Sequence, residues 1–82
     1  MIDVLYFAWL RERIGERAEK VETSAATVSD LITELRARSE AHDLAFSDLA
    51  SIRVALDQTL SEMDAPLDGV REVAFFPPMT GG

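Results

Sequence analysis

The two most apolar runs of the chain lie near its opposite ends, "IDVLYFAWL" from Ile2 and "EVAFFPP" from Glu72. Both are short and rich in β-branched and aromatic residues, so each reads as a strand rather than a helix. In the first, Ile2, Val4 and Tyr6 alternate with Asp3, Leu5 and Phe7, and both faces are largely apolar. That pattern suits a central strand covered on both sides. In the second, Val73 and Phe75 share one face, and Ala74 and Phe76 share the other. Strands this apolar belong at the centre of a sheet, so the two ends of the chain are expected side by side. With 82 residues there is room for one core and no more.

Between these strands the period changes. In "AWLRERIG", Leu10 and Ile14 are four apart, Arg11, Glu12 and Arg13 take the polar positions, and Gly15 closes a short helical turn. "AEKVET" follows as a second strand, paired with the first as a hairpin with a long connection. The clearest helix is "TVSDLITELRAR": Thr27 is the N-cap and Asp30 sits where a capping box places its acid. Val28, Leu31, Ile32 and Leu35 form one apolar stripe, and Arg36 and Arg38 suit the C-terminal end. "SEAHDLAFSDLAS" reads as irregular or a short helical turn anchored by Leu44, Phe46 and Leu49. "IRVALDQ" turns Ile52, Val54 and Leu56 inward, Asp57-Gln58 starts a turn, and a short strand spans Thr59 to Ser61. Pro66 and Gly69 punctuate the approach to the last strand. A hairpin, one main helix and two or three further strands make an α+β domain, with the helix packed across a mixed sheet. The expected division is a domain over residues 1–76 and an extended tail over 77–82.

The chemistry open to such a chain is narrow. Fifteen acidic against eight basic residues give a net charge of −7. Nucleic acid binding needs a basic footprint, so that partner is not expected, whereas an acidic surface suits solubility or a basic protein partner. There is no cysteine, hence no disulfide and no thiolate metal site, and an intracellular, cytoplasmic setting is expected. No stretch approaches the ~20 apolar residues of a membrane span, so no membrane partner is expected. His42, the single histidine, lies in a polar stretch and reads as a solvated loop residue. The four glycines (15, 69, 81 and 82) form no phosphate loop, and the carboxylates show no metal-ligand spacing. Self-contained catalysis lacks material. What remains is binding, or being carried and modified.

The tail "PPMTGG" decides between these. Two prolines after an apolar strand impose a stiff, extended exit, and two glycines then offer nothing beyond backbone. That arrangement presents a bare terminal carboxylate to a channel too narrow for a Cβ. "EVAFFPPMTGG" closely resembles the C-terminus of the small subunits of molybdopterin synthases, which are ubiquitin-like sulfur carriers. "VLYFAWLRERIG", "TVSDLITEL" and "VALDQTL" extend the resemblance over nearly the whole chain, in the family's order. The resemblance implies the β-grasp fold.

It also implies a mechanism. An E1-like adenylyltransferase uses ATP to activate the Gly82 carboxylate, and a sulfurtransferase relay converts it to a thiocarboxylate. The tail then enters the large synthase subunit, in an expected 2:2 heterotetramer, and gives its sulfur to cyclic pyranopterin monophosphate. Two turnovers supply the two sulfurs of a dithiolene. No permanently bound cofactor is expected, and the catalytic side chains belong to the large subunit. By the same match, Gly81 and Gly82 form the reactive end, Pro77, Pro78, Met79 and Thr80 thread the partner, and Phe7, Arg11, Leu60 and Phe76 contact it. Alternation favours an interface role for Phe76, while Phe7 suits core or interface and Arg11 suits docking or solvent. Trp9 is unusually apolar for its position and reads as a partner contact or a packed lid.

The chain departs from the pattern in two places: Val70-Arg71 stand where members carry Gly-Asp, and Asp57 replaces an asparagine. The open alternatives are a carrier for thiamine or tRNA thiolation, a modifier joined to lysines through Gly82, or a plain interaction domain with an idle tail.

Overall fold

The computed structural model describes residues 1–78. In chain order the elements are β1 (Ile2–Tyr6), α1 (Trp9–Ile14), β2 (Ala18–Val21), α2 (Val28–Arg36), α3 (Glu40–Ala45), a 3-10 turn (Leu49–Ser51), β3 (Arg53–Leu56), β4 (Thr59–Ser61) and β5 (Glu72–Phe76). The strands form one mixed sheet in the order β2-β1-β5-β3-β4. β1 and β5 are adjacent and parallel, with Val4 opposite Val73 and Tyr6 opposite Phe75. The two apolar ends of the chain are therefore neighbours near the sheet's centre, as their composition predicts. β2 pairs antiparallel with β1, and β3 pairs antiparallel with both β4 and β5.

α2 forms where its stripe requires. The Asp30 amide donates to Thr27 Oγ1 at 3.2 Å, and Val28, Leu31, Ile32 and Leu35 are all buried. They join Val4, Tyr6, Val54, Val73 and Phe75 of the sheet, with Leu10, Phe46 and Ile52, in one core. α1 ends as read: Gly15 adopts φ 87° and donates its amide to the Arg11 carbonyl at 2.8 Å.

Three expectations are corrected. β1 is not covered on both sides. Ile2, Val4 and Tyr6 are buried, but Asp3 is exposed, Leu5 is half-buried and Phe7 is 46% exposed, because the core forms on one face of the sheet. In the segment after α2, Leu44 and Leu49 are exposed and do not anchor it; Ala45 and Phe46 do, at the end of a helix capped by Ser39. His42 is not a solvated loop residue. It is 6% exposed, and its Nε2 lies 2.9 Å from Glu19 Oε2. The helix in this segment spans only Glu40–Ala45, and Glu19, the partner of His42, lies on another element.

The two family departures meet at one place. Asp57 and Gln58 both have positive φ (49° and 71°), which makes the β3–β4 connection a two-residue turn of the type whose twist matches a hairpin. Asp57 Oδ1 then accepts from the backbone amides of Arg71 at 3.0 Å and Glu72 at 2.9 Å. Gly69, at φ 77°, takes the left-handed turn conformation, so Val70-Arg71 can enter β5 without a glycine.

Candidate functional site

The sheet face opposite the core is organised in three bands. Register places Ala18, Leu5, Ala74, Ala55 and Leu60 in a single row across all five strands. Two alanines, Ala74 and Ala55, lie between Leu5 and Leu60, so the row is a shallow apolar trough. On one side of it, Lys20, Asp3 and Glu72 form a charged row, with Lys20 Nζ 3.3 Å from Asp3 Oδ1. On the other side Phe76 pairs with Arg53, and Phe7, whose amide donates to the Phe75 carbonyl at 3.1 Å, lies next along β1. An exposed apolar surface of this kind, rimmed by charge, is the usual mark of a protein interface.

The four residues expected at a partner contact fall as follows. Leu60 is 68% exposed on the trough, Phe76 is half-buried in the band beside it, and Phe7 is exposed next to Phe76 in register. Register thus brings these three to one face. Arg11 is exposed on α1, which starts two residues after Phe7, and no carboxylate pairs with it among the described residues. Pro77 and Pro78 follow β5 directly and are half-buried. The positions assigned to Met79, Thr80, Gly81 and Gly82 lie outside the described residues.

Local geometry aims Phe7. Ala8, immediately after it, adopts φ 55° and ψ −130°, a conformation common only for glycine. The chain turns abruptly there, so Phe7 stays on the strand while Trp9 opens α1 on the core side, partly buried against it. Trp9 is therefore packed, with the Arg13 guanidinium 5.1 Å above its ring.

No group of His, Cys, Asp or Glu capable of holding a metal occurs among the described residues. Among the described residues a partly buried polar cluster lies on the core side. Tyr6 donates its hydroxyl to Glu19 Oε2 at 2.7 Å, His42 Nε2 shares that oxygen, Ser39 Oγ lies 2.7 Å from His42 Nδ1, and Arg38 lies 3.7 Å from Glu19 Oε1. Burial alone would raise the Glu19 carboxyl; the hydrogen bonds from His42 and Tyr6 outweigh it and hold the group below the usual range. Burial, reinforced by Glu19, pushes the Tyr6 phenol far up. Every member of the cluster has a partner within it, so it holds β1, β2 and α3 together and presents no nucleophile to a substrate.

Two features of the molecule are not visible in the sequence alone. The apolar row depends on cross-strand register, and the Glu19–His42 contact joins residues 23 apart in sequence. Alternation within each strand is the only local signal for the first.

Known proteins share this architecture. The model of the ThiS family matches residues 4–82. The molybdopterin synthase sulfur carrier subunit of Escherichia coli strain K12 is 44% identical over 82 residues, covering both chains completely. The protein of the same name from Haemophilus influenzae is 37% identical over the same span. Among solved structures, SAMP1 from Haloferax volcanii superposes with a TM-score of 0.74 at 26% identity, over 99% of this chain and 98% of that one. A Pyrococcus furiosus protein described as a molybdopterin converting factor subunit 1 gives 0.71 at 25% identity, over 95% and 97%. No helix among the described residues is long and apolar enough to cross a membrane. With the mixed sheet, the helix across it and a match over nearly its whole length, the chain belongs to the ThiS family and has the ubiquitin-like β-grasp fold.

Proposed function

We propose that this chain is the sulfur carrier subunit of a cytoplasmic molybdopterin synthase, and that its own residues supply a docking face and a reactive end rather than catalysis. The observation that carries the proposal is the placement of β5. A central strand leaves the sheet beside Phe7 and Phe76, at the edge of an exposed apolar face, and runs directly into Pro77-Pro78. A partner that grips the face receives the tail in a fixed direction. The relatives named as sulfur carrier subunits, similar over their full length, support the same reading.

In this mechanism an adenylyltransferase joins AMP to the Gly82 carboxylate, sulfur displaces AMP, and the thiocarboxylate enters the large subunit. The apolar trough with Phe7, Leu60 and Phe76 docks, with Arg11 at its margin, while Pro77 to Thr80 span the distance to the large-subunit site and Gly81-Gly82 pass its narrowest part. ATP is consumed by the activating enzyme and no cofactor stays on the chain.

The missing cysteine makes the test direct. After incubation with activating enzyme, ATP and a sulfur source, the chain should take up one iodoacetamide adduct, located on the tail peptide. Mass alone is ambiguous, since sulfur for oxygen and methionine oxidation each add about 16 Da, but a methionine sulfoxide is not alkylated in this way. A chain that stays unlabelled beside a competent activating enzyme overturns the proposal.

A further inference from the structure

Ala8 holds a backbone conformation that its own side chain opposes, at the point where β1 gives way to α1. Its φ of 55° and ψ of −130° match the first central position of a type II′ turn, where glycine is the ordinary occupant. The turn closes through the Leu10 amide, which donates to the Phe7 carbonyl at 3.2 Å. The neighbours explain why a turn is required. Phe7 is 46% exposed on the open face of the sheet, whereas Leu10 is fully buried in the core. The chain must cross from one side of the sheet to the other through Ala8 and Trp9 alone.

Glycine would make the same crossing without strain. Ala8 is exposed, so its methyl group gains no burial in the fold that would offset the strain. Strain left standing in this way marks a position kept for a reason other than stability. What the methyl group does is confine the backbone. Two backbone hydrogen bonds hold Phe7: its amide donates to the Phe75 carbonyl at 3.1 Å, and its carbonyl accepts from Leu10. The first belongs to the sheet, and the second exists only while Ala8 keeps its positive φ. Alanine has little room around that conformation, whereas glycine moves widely and lets the Phe7–Ala8 peptide rotate.

We propose that Ala8 is a positioning residue for the docking face, whose strained turn fixes the Phe7 carbonyl and so the direction in which the Phe7 ring meets the large subunit. The inference rests on the docking role of Phe7 and adds to it a residue too small to be an anchor itself. A ring ordered before association loses less freedom on binding, so a turn that is unfavourable for folding is favourable for affinity. Stability and binding thus set opposite demands on position 8.

The test separates those demands with Ala8→Gly, Phe7→Ala and the double variant, each in the full chain. Ala8→Gly should raise the melting temperature by roughly 5 °C, since the strain relieved exceeds the freedom that glycine adds to the unfolded chain. Its association with the synthase large subunit should weaken about fivefold in equilibrium titrations. In the Phe7→Ala background the same substitution should leave affinity unchanged, because no ring remains to be directed. An Ala8→Gly chain that docks like the wild type overturns the inference, and so does a lowered melting temperature. An equal loss of affinity with and without Phe7 also overturns it, because the Ala8 methyl group would then be the contact. Wild-type affinity in Phe7→Ala overturns the docking role of Phe7, and this inference with it.

Discussion

Glu19 shows how one residue can be surface-like in sequence and structural in the fold. It sits in "AEKVE", an apparently solvated stretch, yet register with Val4 turns it toward the core, onto Tyr6 and His42. Its carboxyl is held below the usual range, so the folded state keeps it ionised where the unfolded chain protonates it. Stability from Glu19 is therefore complete above the unfolded value of 4.5 and is lost as pH falls below it. Tyr6 acts in the opposite direction. Its phenol stays protonated in the folded state after the unfolded chain ionises, so above pH 10.0 stability should fall by about 1.4 kcal/mol per pH unit. Urea unfolding across pH should show both limbs. Glu19→Gln should lower stability by about 2 kcal/mol at neutral pH and flatten the acid limb. An acid limb unchanged in Glu19→Gln would mean that other carboxylates set it. None of this was legible beforehand, because the burial of His42 depends on a partner from a different element, which no local pattern encodes.

At the scale of elements, local signals carried far. α2 was readable from its cap and stripe, α1 from Leu10, Ile14 and Gly15, and the strands from their alternation. What alternation could not show is which alternate set meets the helices. Leu5 and Phe7 are as apolar as Ile2 and Val4, yet only the second pair is buried, because the core packs on one face alone. The β3–β4 turn gives a sharper case. Asp57 was visible as a departure from the asparagine of related chains, but its function was not, since it acts on Arg71 and Glu72, 14 and 15 residues away. Its carboxylate receives both amides at the entrance to β5 while its own backbone holds a positive φ. Asp57→Ala should cost about 2 kcal/mol, from two charge-assisted hydrogen bonds and a left-handed position that alanine tolerates poorly. Asp57→Asn, which keeps an acceptor oxygen and accepts that backbone, should cost far less. Equal losses in denaturant midpoint for the two variants would show that charge alone, not the acceptor geometry, ties the turn to β5.

On the scale of the whole molecule, the proposed function divides labour between a face that binds and an end that reacts, and β5 joins them. Phe75 and Phe76 are consecutive and chemically identical, yet one is fully buried against Tyr6 and Phe46 and the other lies on the open face. This difference allows binding and chemistry to be separated by mutation. Phe76→Asp should leave the fold intact and weaken association with the large subunit at least about tenfold, since a carboxylate buried at the margin of an apolar interface must lose its hydration. Phe75→Asp should unfold the domain, which distinguishes the two sides of one strand. Removing Gly82 should do the reverse of Phe76→Asp: stability and docking should be close to wild type, while sulfur transfer to the pterin substrate is abolished, because in the proposed mechanism that residue carries the sulfur. Thermal melts, large-subunit titrations and pterin conversion on the same three variants read all of these outcomes together. Unfolding of Phe76→Asp would move Phe76 into the core and leave the trough without its aromatic margin. Retained pterin conversion by the chain lacking Gly82 would place the sulfur somewhere other than the terminus, and a chain with no cysteine has no side chain that could carry it as a thiolate.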